Sequence, residues 1–410
     1  MKLWIRYMLG IGIGIVFGFL VTNDSSNTVE LVSFISEISL NIGRYTIIPL
    51  LFFLIPVSIF SLLEEKKLFR VGTKTVFFTV AAGALGVAVG GLMVVVLDPQ
   101  RIPIIMAEAT APEIPGFQEI LLHIFPANAA HVFWMEGAYL LPVAVFASLL
   151  GFGFARSHSF SEPVLDFFDS SARLIYTLTS WFVSVTGILL IAITTMFVIQ
   201  LRSIEELGLF AEVVFAVLFG AGLILFIGIP LAVFLLSKRH NPATFLMAAL
   251  PPVAAAAASG SHVFSLTTLM RTGRNNQGVS RKAESVIFGI TTLFCRAGTA
   301  MVAMITFIVV LRSYSSLEIS LLQIMGVGVS TFGLSFVLGN IPNGNILVFL
   351  ALLSGLHGRG IPDGYLILLP LIPILSRVGA ALDIAIAAAI AQIVGVQERV
   401  CKTVPAREFV

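Results

Sequence analysis

Hydrophobic residues run along this chain in blocks of about twenty, separated by short polar segments, and a block of that length lets one helix cross a bilayer. The blocks predict spanning helices near Met8–Val21, Thr46–Leu63, Thr75–Val96, Ala138–Phe154, Tyr176–Ile199, Val214–Leu236, Val286–Leu311 and Leu366–Val394. Two further apolar stretches, Thr244–Met270 and Gly326–Leu356, are interrupted by small polar turns. The first carries Ser259-Gly260-Ser261 and the second Pro342-Asn343-Gly344-Asn345. Irregular backbone at membrane depth persists only where protein or a watery cavity surrounds it. Both stretches therefore predict re-entrant hairpins that enter and leave on one side. The stretch Phe117–Glu136 mixes Pro126, Asn128, His131 and Glu136 with apolar residues, and reads equally as short helices beside the fourth span or as an outer loop.

Composition agrees with this pattern. The 410 residues are 58% hydrophobic and 11% charged, against about 25% charged in a soluble domain. The opening Met1-Lys2-Leu3-Trp4-Ile5-Arg6 and its apolar run read as a first helix that stays, since no small-residue cleavage site follows. A net charge of +2, without a basic patch interleaved with aromatics, gives no sign of nucleic acid as a partner. Cys295 and Cys401 form no disulfide or metal framework, and no phosphate loop, nucleotide domain or catalytic constellation appears. The pattern is that of a secondary transporter rather than an enzyme or a primary pump.

Lys and Arg in the loops set orientation. With the N-terminus inside, sixteen basic residues fall on the inner side and four on the outer side (Arg101, Arg202, Arg312 and Arg359). That asymmetry supports eight spans with both termini cytoplasmic and hairpins opening from opposite faces, and the expected location is the inner membrane. Arg44, Arg173, Arg296 and Arg377 fall within or beside spans.

One phrase is written twice. Cys295-Arg296-Ala297-Gly298-Thr299-Ala300 and Ser376-Arg377-Val378-Gly379-Ala380-Ala381 both read x-Arg-x-Gly-x-Ala, inside apolar runs. Each lies 33 to 36 positions beyond a hairpin turn, counted from Gly344 to Arg377 and from Gly260 to Arg296. A guanidinium near the bilayer centre costs at least ~2.5–3.5 kcal/mol, so it is rarely idle. Two similar modules predict an inverted repeat enclosing one polar site.

These residues resemble the dicarboxylate/amino acid:cation symporter family, the glutamate-transporter-like elevator carriers. The likeness runs nearly end to end. Phe60-Ser61-Leu62-Leu63, Arg70-Val71-Gly72-Thr73-Lys74 and Leu97-Asp98-Pro99 follow the family's second and third helices. Ala258-Ser259-Gly260-Ser261 and Asn340-Ile341-Pro342-Asn343-Gly344 resemble its hairpin tips, and Asp383 matches its late acidic residue. Cys295-Arg296-Ala297-Gly298-Thr299-Ala300 stands where the family carries Asn-Met-Asp-Gly-Thr-Ala. The resemblance implies an all-α homotrimer in membrane lipid. Residues 1–74 and 101–205 would form a fixed scaffold, and residues 75–100 and 206–410 a moving transport unit. It implies transport of acidic amino acids or dicarboxylates with sodium or protons, and no organic cofactor.

The departures bear on coupling and recognition. Family sodium-site positions carry Phe78, Ala81, Ala82, Cys295, Ala297 and Gly379 here, and the positions that read an amino acid carry Ile372 and Leu375. A hard cation needs several oxygen ligands, which Phe and Ala side chains lack. Sodium coupling is accordingly in doubt. The candidate solute site comprises Ser259, Gly260, Ser261, Arg296, Thr299, Pro342, Asn343, Gly344, Asn345, Arg377 and Asp383. Arg296 has three readings: a tethered cation paired with Asp383, a fork gripping an anionic solute, or a plain buried ion pair. Arg377 reads as a holder of a solute carboxylate or as a structural bridge. It stands six positions before Asp383, about 240° around a helix, so the two converge only if Gly379 breaks that helix. Asp383 reads as a cation ligand, a proton carrier or a neutraliser of arginine, and His262 as a neutral, hydrogen-bonded histidine or as a proton-coupling group. The expected function is uptake of a small anionic solute. A sodium-independent or proton-coupled exchanger of the same fold, and a receptor or anion channel, are the alternatives.

Overall fold

The structure is a computed structural model of the chain. It describes residues 2–21, 26–103, 118, 122, 124–126, 128–134, 139–156, 158–204, 207–237, 241–315, 319–341, 344–358 and 363–410. Among these the secondary structure is helical, apart from one isolated bridge between Val279 and Cys401. The α-helices are α1 (Leu3–Leu20), α2 (Ser26–Arg44), α3 (Ile47–Glu64), α4 (Leu68–Leu97), α5 (Leu141–Arg156), α6 (His158–Arg202), α7 (Ala211–Leu223) and α8 (Ile229–Leu236). The remainder are α9 (Pro242–Ser259), α10 (His262–Asn275), α11 (Arg281–Phe294), α12 (Ala297–Tyr314), α13 (Leu321–Val337), α14 (Ile346–His357) and α15 (Ile372–Gln397).

Nine helical stretches among the described residues are long and apolar enough to cross a membrane. They differ in how deeply they are covered. Over the apolar 18-residue window of each, 94% is buried in Arg281–Tyr314 and 89% in Gly364–Gln397, against 28% for Leu3–Leu20. The two segments that carry the repeated phrase are therefore the core, and the others wrap them with apolar faces outward. Such outward faces suit lipid, where burial of hydrocarbon brings no gain and close backbone packing holds helices together.

Small residues make that packing. Gly10, Gly14 and Gly18 line one stripe of α1, and a Cβ on Gly14 would lie 2.7 Å from Cβ of Thr194 on α6. Gly86 and Gly90 do the same for α4, which lies against Ala297, Met301 and Met304 of α12. A third close crossing joins the two copies of the repeated phrase. A Cβ on Gly298 would meet the Gly379 carbonyl oxygen at 2.9 Å, and one on Gly379 would meet Thr299 Oγ1 at 2.9 Å. The glycines of the repeat are there because α12 and α15 touch at that point.

Three expectations change. Residues 26–44 form a helix, α2, that lies outside the predicted spans because it is amphipathic rather than uniformly apolar. The fifth span is the interior of a 45-residue helix, α6. The second copy of the phrase does not break its helix, since α15 runs unbroken through Arg377 and Gly379. Within 117–136, Ala129–Phe133 is a 3₁₀ turn capped by Asn128, whose Oδ1 accepts from the Ala130 N–H at 2.9 Å. The sixth apolar block holds a π turn, Ile224–Gly228, where Pro230 cannot donate its share of the helical ladder.

Candidate functional site

Helices α9 and α10 pack together and meet at the Ser259-Gly260-Ser261 turn. Gly260 closes α9 in the left-handed region at φ 64°, where a glycine costs least, and its N–H donates to the Ala256 carbonyl at 2.8 Å. Ser261 then opens α10 as its N-cap, with Oγ accepting from the Phe264 N–H at 3.2 Å. Helices α13 and α14 form the second such pair. A 3₁₀ turn at Leu338–Asn340 ends the first arm, and Asn345 caps the second by accepting from the Val348 N–H at 3.1 Å. Pro342 and Asn343 of this turn lie outside the described residues.

Between the two turns lies a cavity of about 240 Å³. Ser259, Gly260, Ser261, His262, Arg296, Thr299, Gly344, Asn345 and Asp383 all line it. The N-termini of α10 and α14 open onto it, so two positive helix ends face the same space.

Asp383 is fully buried and its carboxylate is committed. Oδ1 accepts from the Gly298 N–H at 2.7 Å and the Thr299 N–H at 3.2 Å, and Oδ2 accepts from the Thr299 hydroxyl at 2.6 Å. Those N–H groups belong to the first turn of α12, which has no partner of its own within the helix. Asp383 is thus an N-cap donated by a different helix, and its negative charge offsets the positive end of α12. This corrects the expected pairing of Arg296 with Asp383: no ion pair joins them, and α12 takes the carboxylate instead.

Arg296 stands at the break between α11 and α12, where the chain leaves helical geometry after Phe294. Nine-tenths of it is buried, it lines the cavity, and its Nε has no hydrogen-bond partner. A buried unpaired guanidinium is costly, and an anion in the cavity would offset that cost. His262 lines the same cavity and neither ring nitrogen has a hydrogen-bond partner, which corrects its expected bonded state.

Arg377 is elsewhere. Its Nε donates to the Ala258 carbonyl at 3.1 Å and Nη1 to the Pro373 carbonyl at 2.8 Å, and the guanidinium stacks 3.8 Å over the ring of Phe197. It does not line the cavity and sits beneath the first turn as a brace. The two arginines of the repeated phrase diverge because the helix breaks at one and continues through the other. Arg377→Gln is expected to lower stability by about 1–3 kcal/mol through lost carbonyl bonds and stacking, with the order of solute preference unchanged. Thermal unfolding together with competition binding checks both halves.

The side chains of Phe78, Ala81, Ala82, Ala297 and Gly379 offer no oxygen, and Cys295 is a buried thiol. With both Asp383 oxygens already accepting, side chains at these positions do not fit a sodium cage. The charged cavity residue missing from the sequence-predicted site is Arg44, at the end of α2; its Nη2 donates to Ser261 Oγ at 3.1 Å.

A helical membrane protein in which a broken central segment and two helix-turn-helix pairs meet at a polar cavity has the build of a membrane transporter. The chain belongs to the sodium:dicarboxylate symporter family, whose model matches residues 3–396. It is 21% identical over 395 residues to a Caenorhabditis elegans protein assigned as a sodium-dependent excitatory amino acid transporter, covering 85% of this chain and 72% of that one. It is 28% identical over 197 residues to the proton/glutamate-aspartate symporter of Bacillus subtilis (strain 168), covering 46% of this chain and 47% of the relative. It is 22% identical over 188 residues to C4-dicarboxylate transport protein 3 of Ralstonia nicotianae, covering 43% and 41%. These two matches span under half the length of the relatives. The family and these relatives are transporters, so the chain is a transporter and not an enzyme.

Proposed function

We propose that this protein carries a small anionic organic solute, a dicarboxylate or acidic amino acid, by alternating access, with Arg296 in place of a bound cation. In this reading α1–α3, α5 and α6 are the fixed scaffold of a homotrimer. The unit α4 and α7–α15 moves, with α9–α10 and α13–α14 as its re-entrant hairpins. Eight spans cross the inner membrane and both termini are cytoplasmic. The observation that carries the reading is Arg296: a buried guanidinium with an unpartnered Nε in a cavity where two helix N-termini point. The names of the relatives, which include glutamate-aspartate and C4-dicarboxylate carriers, support the solute class.

Uptake of labelled aspartate and succinate by proteoliposomes, under imposed sodium, proton or no gradient, tests it. Saturable uptake stimulated by solute on the opposite side and indifferent to sodium is expected. Uptake that stops without sodium would overturn the Arg296 reading, and non-saturable conductance would overturn transport itself. A proton-coupled variant has one observation in its favour, the unpartnered ring of His262 in the cavity. Uptake driven by an inward proton gradient, and lost in His262→Ala, would select that variant.

A further inference from the structure

We propose that Arg44 is a second guanidinium of the solute site, so that the cavity selects dianions over monoanions. The inference deepens the transport reading and rests on it. Arg44 ends α2, and α2 comes close to the first turn: a Cβ on Gly43 would collide with the Phe264 ring. That approach brings Arg44 to the cavity, where its Nη2 donates to Ser261 Oγ at 3.1 Å and its buried Nε has no partner. Ser261 Oγ is neutral and already accepts from Phe264 N–H, so it leaves the Arg44 charge uncompensated.

The charges lining the cavity are then Arg44, Arg296 and Asp383. Asp383 is occupied by the first turn of α12. Among the described residues, two guanidinium groups and one carboxylate face this space, and the lining stays net positive. Like charges in a poorly solvated site repel, and a single carboxylate can answer only one of them. A dianion answers both, each fork taking a carboxylate. The cavity of about 240 Å³ corresponds to roughly eight waters' share of liquid volume, which is room for a short-chain dicarboxylate. In the transport reading Arg44 sits on the scaffold. The second charge is then present only while the first turn is seated against α2, and movement of the transport unit would weaken the site for release.

Calorimetric titration of the purified full-length protein with succinate and with butyrate, which share a four-carbon chain, tests the proposal. The wild type should bind succinate more tightly. Arg44→Gln should weaken succinate about 10- to 100-fold while leaving butyrate within about twofold, as expected for one lost bond to a charged group. Arg44→Lys, which keeps the charge and loses the fork, should fall between. A residue that merely braces the turn would act through Ser261, so Ser261→Ala should then copy Arg44→Gln; the proposal expects Ser261→Ala to keep the succinate-to-butyrate ratio. The proposal is overturned by equal weakening of both ligands, by an unchanged ratio in a folded Arg44→Gln protein, or by a wild type that does not prefer succinate. Should Arg296→Gln abolish binding while Arg44→Gln leaves the ratio intact, the inference fails and the transport reading stands.

Discussion

Asp383→Ala is expected to destabilise the protein by about 3–5 kcal/mol, because it strips a charged acceptor from three donors and leaves two helix N–H groups buried without partners. The loss should appear as a fall of roughly 4–6 °C in the apparent melting temperature of the purified protein. The defect is structural before it is functional. Asp383 ties α15 to the first turn of α12, at the crossing where Gly298 and Gly379 let the helices touch. Asp383→Asn retains an amide oxygen for the N–H groups but loses the charge that opposes the helix dipole, so it should lie between the wild type and Ala. A melting temperature unchanged in Asp383→Ala would remove the capping role.

Arg296→Ala should have the opposite signature. Deleting a buried cation whose Nε has no protein partner relieves a desolvation cost, so the ligand-free protein should be as stable as the wild type or more so. Binding of the anionic solute should collapse. Truncating one partner of a buried charge pair typically costs about 2–5 kcal/mol, or roughly 30- to several-thousand-fold in affinity. Arg296→Lys should recover part of it, since a point charge remains where the planar fork is lost. Titration calorimetry measures the affinity and thermal unfolding measures the stability. Arg296→Ala with wild-type affinity would show that the guanidinium plays no part in holding the solute.

Much of this site was legible in the residues. The Ser259-Gly260-Ser261 turn announced itself because a glycine between two hydroxyls inside an apolar run can only end one helix and cap the next. Arg296 stood out because a charge in so apolar a run needs a reason. What local pattern could not show was the partner of each group. Arg44 meets Ser261 across 217 positions of sequence, and nothing near Arg44 encodes that contact. Asp383 looked like a mate for arginine, because charge invites pairing with charge, whereas helix α12 offered unpaired N–H groups closer by. The doubled phrase promised two equivalent arginines. Only the first sits at a helix end; the second is carried past the cavity by an unbroken α15 and finds backbone carbonyls and Phe197 instead. The overlooked α2 is a matter of period rather than length, since its polar positions dilute the run while leaving one apolar stripe.

In the proposed function, Arg296 takes the place of a mobile coupling ion. Solute affinity measured against sodium concentration, in choline-balanced buffer with wild-type protein, tests this most directly. A flat dependence, with full binding in sodium-free buffer, is the predicted result. Affinity that climbs steeply with sodium and vanishes without it would contradict the account.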